Sequence, residues 1–150
     1  MEALSWRAVD LAGVVLAGLF AGYVMALFGL WAGRIPGLVA IDIADFGRRY
    51  MVSDRPSAWF FGLASHLVNS VLLTFVFASC VEPNLAGPRW VEGAAWGVFL
   101  TVTLAGALVA PLAGLGLMGT QATGGTRLAL TSLLMHLGWG VLIGLLYVPR

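Results

Sequence analysis

The sequence predicts an all-α, polytopic membrane protein: four transmembrane helices and one short interfacial amphipathic helix in a single domain. Composition and charge placement carry this reading. Of the 150 residues, 60% are hydrophobic and only 10% charged, where a soluble domain has about a quarter of its residues charged. The few charges are gathered between uncharged runs at Leu11–Gly33, Ser57–Val81, Gly93–Thr126 and Leu128–Pro149. Each run meets the roughly 20 apolar residues that a helix needs to cross a bilayer core. The third run is long enough for a helix and a loop.

The first span is expected over 6–31, bracketed by Trp6 and Trp31 as aromatic anchors at the two interfaces. Its apolar run is too long for a signal peptide, and Arg7 with Asp10 makes a poor positive leader, so it reads as a retained helix. Arg34-Ile35-Pro36-Gly37 breaks it. Residues 38–51 predict the interfacial helix, with Asp42, Asp45 and Arg49 on one stripe and Leu38, Ile41, Phe46 and Tyr50 mostly elsewhere. Asp45 and Arg49 are spaced to pair, and the segment reads as a connector packed on the bundle.

Ser53-Asp54-Arg55-Pro56 is a helix start signal, and the second span follows over 57–81. Glu82-Pro83-Asn84 and Gly87-Pro88 make a turn. The third span covers 90–113, with Pro111 predicting a kink or stop near its end. Gly114–Gly125 reads as a flexible loop, its Gly119–Gly125 part a plain linker, and Thr126 as the cap of a fourth span over 126–148. An even number of spans puts both termini on one side, with Arg7, Arg89 and Arg150. The other side holds Arg34, Arg48, Arg49, Arg55 and Arg127. The positive-inside rule then predicts a multi-pass protein with both termini outside the cytoplasm.

Several function classes are excluded. The net charge of +1 argues against nucleic acid. All eight basic residues are Arg, so no lysine imine can form. Cys80 is the single cysteine and supplies no thiol pair. No nucleophile with a base and orienting acid is recognisable, and no phosphate-cradling loop precedes a helix. Asp10 reads as the only acid near a span, close to Arg7 at the surface and too shallow for a proton relay.

Small residues recur four apart at Gly18 and Gly22, Gly29 and Gly33, Gly93 and Gly97, and Gly140 and Gly144. In lipid, such pairs allow close backbone approach between helices. A faint internal repeat is present: Gly22 to Pro36 matches Gly97 to Pro111, and His66-Leu67 with Val71-Leu72 matches His136-Leu137 with Val141-Leu142. The halves read as two copies of a two-helix unit.

His66 and His136 are the only histidines. They fall at similar depths in the second and fourth spans, which are diagonal in an up-down bundle. An ionisable group within hydrocarbon is a functional-site candidate. Gly62, His66, Asn69 and Ser70 share one face; Ser132, His136, Gly140 and Gly144 share another. The glycines suggest room for a flat group, and Trp139 could pack beside it. Two facing imidazoles could clamp a haem b as axial ligands, or each could hold the magnesium of a chlorophyll. A two-His copper or zinc site would want more ligands, with Met25 or Met135 able to assist copper. The packing alternative is a buried His bonded to Asn69, Ser132 or a backbone carbonyl.

Gly18-x-x-Ala21-Gly22-x-Val24-Met25, Ile35-Pro36-Gly37, Ile41-Asp42, the His-Leu pairs of the second and fourth spans and Ala110-Pro111-Leu112 together form a set. This set resembles a family of small four-span bacterial membrane proteins of unknown function, over nearly the whole chain. The resemblance implies a bacterial inner (cytoplasmic) membrane protein and no assigned activity. The paired cysteines of membrane quinone-disulfide enzymes and the deep glutamate of small multidrug exporters are absent.

The expectation is a chain that is not an enzyme: an accessory subunit in a larger energy-transducing or redox membrane complex. Its partners are then the lipid bilayer and other membrane subunits or itself. His66, His136 and Trp139 are its candidate cofactor-binding residues, and haem b or a chlorophyll-type tetrapyrrole the candidate cofactor. One alternative is a small homo-oligomeric channel or carrier, with Asn69, Ser70 and the histidines along its path. Another is a stand-alone bis-His b-type haem electron carrier.

Overall fold

Among the described residues, four helices are long and apolar enough to cross a membrane: Leu11–Ala32, Pro56–Asn84, Arg89–Leu112 and Gly125–Leu146. The structure is a computed structural model that describes residues 9–149. Trp6, Arg7 and Arg150, together with the side chain of Tyr50, lie outside what is described.

Helix α1 (Leu11–Ala32) starts after Asp10 rather than near residue 6, since Val9 and Asp10 are not helical. At its far end the Arg34 guanidinium lies 4.0 Å over the Trp31 ring, the exposed-aromatic arrangement expected of an interface anchor. The helix predicted over 38–51 is mostly something else. Only α2 (Asp45–Met51) is helical. The preceding residues run non-helically because other groups take their backbone N–H donors: Ile41 N–H donates to Gly29 O (2.9 Å), and Val39 N–H to Thr131 Oγ1 (3.0 Å). Asp42 is therefore not on a helical stripe. Its carboxylate accepts from Ala44 N–H (3.0 Å) and Trp59 Nε1–H (2.8 Å), pinning the connector to the next span. Asp45 does pair with Arg49 (3.8 Å), and also with Arg48 (3.4 Å).

Helix α3 (Pro56–Val76) has Pro56 in its first turn, where the missing N–H costs nothing. It continues through a π-helical stretch, Phe77–Val81, and a 3-10 turn, Glu82–Asn84. The third span is not one regular helix. It comprises α4 (Arg89–Leu100), a nine-residue π-helical segment (Thr101–Val109) and α5 (Ala110–Leu112). It stops just after Pro111, as the sequence predicts. The loop that follows turns through Gly114, Gly116, Gly119, Gly124 and Gly125, all at positive φ. Helix α6 (Gly125–Leu146) is preceded by Gly124 at φ +99°, and no side chain caps it. Thr126 lies inside the helix, so the predicted cap is replaced by a glycine turn that only a residue without Cβ adopts cheaply.

α1 packs against α3 and α6, α6 packs extensively against α4, and α2 packs against α3. α3 and α4 diverge along most of their length and meet toward the end of α3, where Trp96 Nε1–H donates to Leu73 O (3.3 Å) and α4 touches the π-helical and 3-10 turns that follow. The spans thus form a ring in which the second and fourth are diagonal. Backbone contact sets the geometry. A Cβ on Gly93 would strike the Gly140 carbonyl, one on Gly97 the His136 carbonyl, and one on Gly144 the Arg89 carbonyl. Gly22 lies against Ser70 and Leu67, as Gly97 lies against His136 and Leu137. In both halves, therefore, the matched glycine of the repeat meets the His-Leu helix of its own half.

Trp139, Met25, Phe77, Leu100 and Ile143 fill the centre. A buried polar chain ties three helices there: Trp139 Nε1–H donates to Ser70 Oγ (2.7 Å), and Ser70 Oγ–H to Gly18 O (2.6 Å). Large apolar side chains cover the outside instead, among them Leu16 at 69% exposure, Leu112 at 67% and Phe60 at 64%. In water such a surface is an association or aggregation hazard; against lipid it is the ordinary exterior.

Candidate functional site

Where α3 and α4 part, the ring opens into a cleft of about 390 Å³, within the size range of small-molecule sites. α3 supplies Ser65, His66 and Asn69; α6 supplies Ser132, Met135 and His136. The π-helical segment supplies Thr101, Leu104, Ala105, Gly106 and Val109. Ile41 and Ile43 close the cleft at the connector, and Leu115 with Met118 on the Gly-rich loop. The lining is mainly apolar; its polar groups are on α3 and α6, with Thr101 on the π-helical segment.

Each element has a reason to be there. Gly47 of α2 and Gly62 of α3 touch through backbone, so α2 is held hard against the cleft's rim. A π-helix carries i→i+5 bonds and widens its turn, and such stretches occur often at functional sites. Met118 sits at φ +53°, unusual for a residue with a side chain, and its thioether lies against Gly106, where no Cβ would fit.

The two histidines share this one cleft, as their matched depth predicts. Their hydrogen bonds are complementary. His66 Nε2–H donates to Gly22 O on α1 (2.9 Å), and His136 Nδ1–H donates to Ser132 O one turn back (2.8 Å). A carbonyl oxygen only accepts, so each bond fixes which nitrogen holds the proton. In the neutral ring His66 Nδ1 and His136 Nε2 are then bare acceptors. Neither is sealed away: among the described residues Arg48 Nε is the buried side-chain nitrogen or oxygen without a partner. Both rings thus make the carbonyl bond of the packing alternative while keeping a second nitrogen free.

Other sequence candidates fall elsewhere. Trp139 is 3% exposed, bonded to Ser70 in the core, and does not line the histidine cleft. It lies about 60° around α6 from His136, on the side that meets Ser70 of α3 and Met25 of α1. Ser70 is buried in the same polar chain and lines no path, so the channel alternative keeps Asn69 and the histidines but loses it. The room expected beside the glycines is filled by backbone: Gly140 by α4, and Gly62 by Ala44 and Gly47 of the connector. Met25 and Met135 do line the cleft, as does Met118. Among the described residues no group of three or more His, Cys, Asp or Glu could hold a metal ion.

The sequence reading missed the π-helical wall, the role of the Gly-rich loop and Glu92. The loop is not a plain linker, because Leu115 and Met118 form part of the cleft. Thr101-Val102-Thr103, β-branched within a helix, is the only local sign of the irregular wall. Glu92 is a further acid at a span, 5% exposed in the first turn of α4, where its Oε1 accepts from Gly87 N–H (2.7 Å). That position favours a carboxylate, since the helix N-terminus presents unsatisfied N–H groups, and it gives the acid a structural use.

Comparison with known proteins yields no match: no family model, no curated protein and no solved structure is similar to this chain.

Proposed function

We propose that this chain is a non-catalytic, multi-pass subunit of a bacterial inner membrane. In this reading it holds a largely apolar ring ligand in the cleft between α3, the π-helical wall and α6, as part of a larger redox or energy-transducing complex. One observation carries the reading: the only two histidines of the chain come from diagonal helices into one cleft, each oriented by a backbone carbonyl and each with a free ring nitrogen. An imidazole within hydrocarbon is costly and calls for a use. The apolar exterior suits lipid and neighbouring subunits, and the connectors are too short for a separate substrate domain.

A tetrapyrrole held by His136 is a second reading. Ligating histidines characteristically donate their other ring N–H to a carbonyl, and the bond from Nδ1 to Ser132 O leaves Nε2 for an iron or magnesium. A symmetrical clamp through both Nε2 atoms does not fit, because His66 uses its Nε2 on Gly22. The test is an absorbance spectrum of the gently solubilised protein, with and without dithionite, together with solvent extraction and identification of co-purifying subunits. A bound apolar ligand and companion subunits support the proposal. A stable, colourless, ligand-free monomer would count against it.

A further inference from the structure

The class of ligand follows from which ring nitrogens are already spent, and this step rests on the reading of the cleft as a binding site. Both imidazole N–H groups are committed to backbone carbonyls, His66 to Gly22 and His136 to Ser132. Adding a second proton to either ring would place a cation among apolar helices, which is strongly disfavoured. The histidines therefore offer the cleft two lone pairs and no proton. Thr101 adds no donor, since its hydroxyl bonds back to Gly97 O (3.0 Å), and the donors left in the lining on α3 are the Ser65 hydroxyl and the Asn69 amide, beside His66 and not at the two histidine nitrogens. Such a site suits a molecule that brings its own donors.

The rest of the wall restricts that molecule further. It is apolar at Ile43, Leu104, Val109 and Leu115, so the donors must sit on a lipid-soluble body. The two acceptors come from helices on opposite corners of the ring of spans, so two donors on opposite sides of one ring match them better than a single hydroxyl. Asn69, which lines the cleft from α3 next to the His66 turn and makes no side-chain hydrogen bond among the described residues, can take up one further polar substituent.

We infer that the cleft binds a lipid-soluble diphenol, the reduced form of a membrane quinone, with its two hydroxyls donating to His66 Nδ1 and His136 Nε2. It selects against the oxidised form. A quinone's carbonyls only accept, and they would face the two lone pairs with no proton between them. A site that hydrogen-bonds a hydroxyl discriminates strongly against the analogue lacking it, because buried polar groups are left unpaired. Binding alone is inferred; no electron transfer within this chain is part of it.

The test uses the full chain in lipid nanodiscs under anaerobic conditions. Its affinity is titrated for a short-tailed benzoquinol, for the matching quinone and for the dimethyl ether of the quinol, read by tryptophan fluorescence or calorimetry. The quinol is expected to bind about tenfold or more tighter than either comparator, the ether losing as much as the quinone because its oxygens carry no proton. His66→Leu and His136→Leu should each remove most of the quinol's advantage, by weakening quinol binding and by relieving the lone-pair conflict that disfavours the quinone. The wild-type ratio stands by itself if a variant does not fold. Equal or tighter quinone binding overturns the inference, as does failure of all three compounds to bind. A stoichiometric Soret band or a different extracted ligand would also overturn it, while leaving the broader proposal of a ligand-holding subunit in place. A protein that yields no extractable ligand and binds none of the three compounds would remove both.

Discussion

Two glycines on one turn of α6 give a direct measure of how tightly the spans are joined. Gly140 lies against α4: a Cβ there would strike the Gly93 carbonyl, with Gly93 C at 2.8 Å and Gly97 N at 3.2 Å. Gly138, two residues away on the same helix, has nothing within 4 Å. Gly→Ala raises helix propensity by about 1 kcal/mol at either position, so that contribution cancels in the comparison. What remains is the clash. The atoms struck are backbone and cannot rotate aside, so the methyl must push the helices apart, and overpacking of this kind costs about 1–3 kcal/mol. Gly140→Ala should therefore be less stable than Gly138→Ala by about 1–3 kcal/mol, with Gly138→Ala slightly more stable than the parent. Equilibrium unfolding in mixed micelles, titrated with sodium dodecyl sulfate and followed by circular dichroism, reads the difference. If the two variants agree to within about 0.5 kcal/mol, a margin typical of surface changes, the close α4–α6 crossing is wrong.

Further outcomes follow from the buried polar groups. Ser70→Ala leaves the Trp139 N–H without its acceptor in the core and should cost about 1–3 kcal/mol, measurable in the same titration; a neutral result would refute the three-helix polar chain. Asp42→Ala frees both Ala44 N–H and Trp59 Nε1–H, with an expected loss of about 1–2 kcal/mol and a shift in Trp59 emission, compared against a Trp59→Phe control. Glu92→Ala removes the acceptor for Gly87 N–H and should cost about 1 kcal/mol, as loss of a helix-terminal cap does; hydrogen exchange at the Gly87 amide should speed up, and unchanged protection would contradict the contact. Gly106→Leu should displace Met118 from the cleft wall and weaken ligand binding without loss of helix content, which a binding titration alongside circular dichroism would check.

Much of the fold was legible because it depends on local quantities. Uninterrupted apolar length marks a span, and Pro56 and Pro111 mark where helices begin and end, by the chemistry of a missing N–H. The glycine pairs were readable as contact surfaces, though not as to which met which. The interfacial helix was misread because its amphipathic pattern is real, but Val39, Ile41 and Ala44 find hydrogen-bond acceptors on α6, on α1 and on the Asp42 carboxylate. Tertiary bonds there outweigh a weak local preference. Trp139 falls outside the cleft for a related reason: three residues separate it from His136 by a net turn of only about 60°, and the packing of α1 and α3 around it decides that the indole lies on the core side of that edge while the imidazole faces the cleft.

By itself, the sequence determined that the chain is all-α with four membrane-length helices, and that its two histidines lie at matching positions along two of them, because hydrophobic run length and position along a helix are properties of neighbouring residues. Only the tertiary structure decided that both histidines meet in one cleft, that a π-helical wall and a glycine-rich loop enclose it, and which nitrogen of each ring remains free. These depend on contacts between residues far apart in the chain. The bond from His66 to Gly22 joins two different spans, and the cleft exists only because Gly93 and Gly140 draw α4 onto α6 and away from α3.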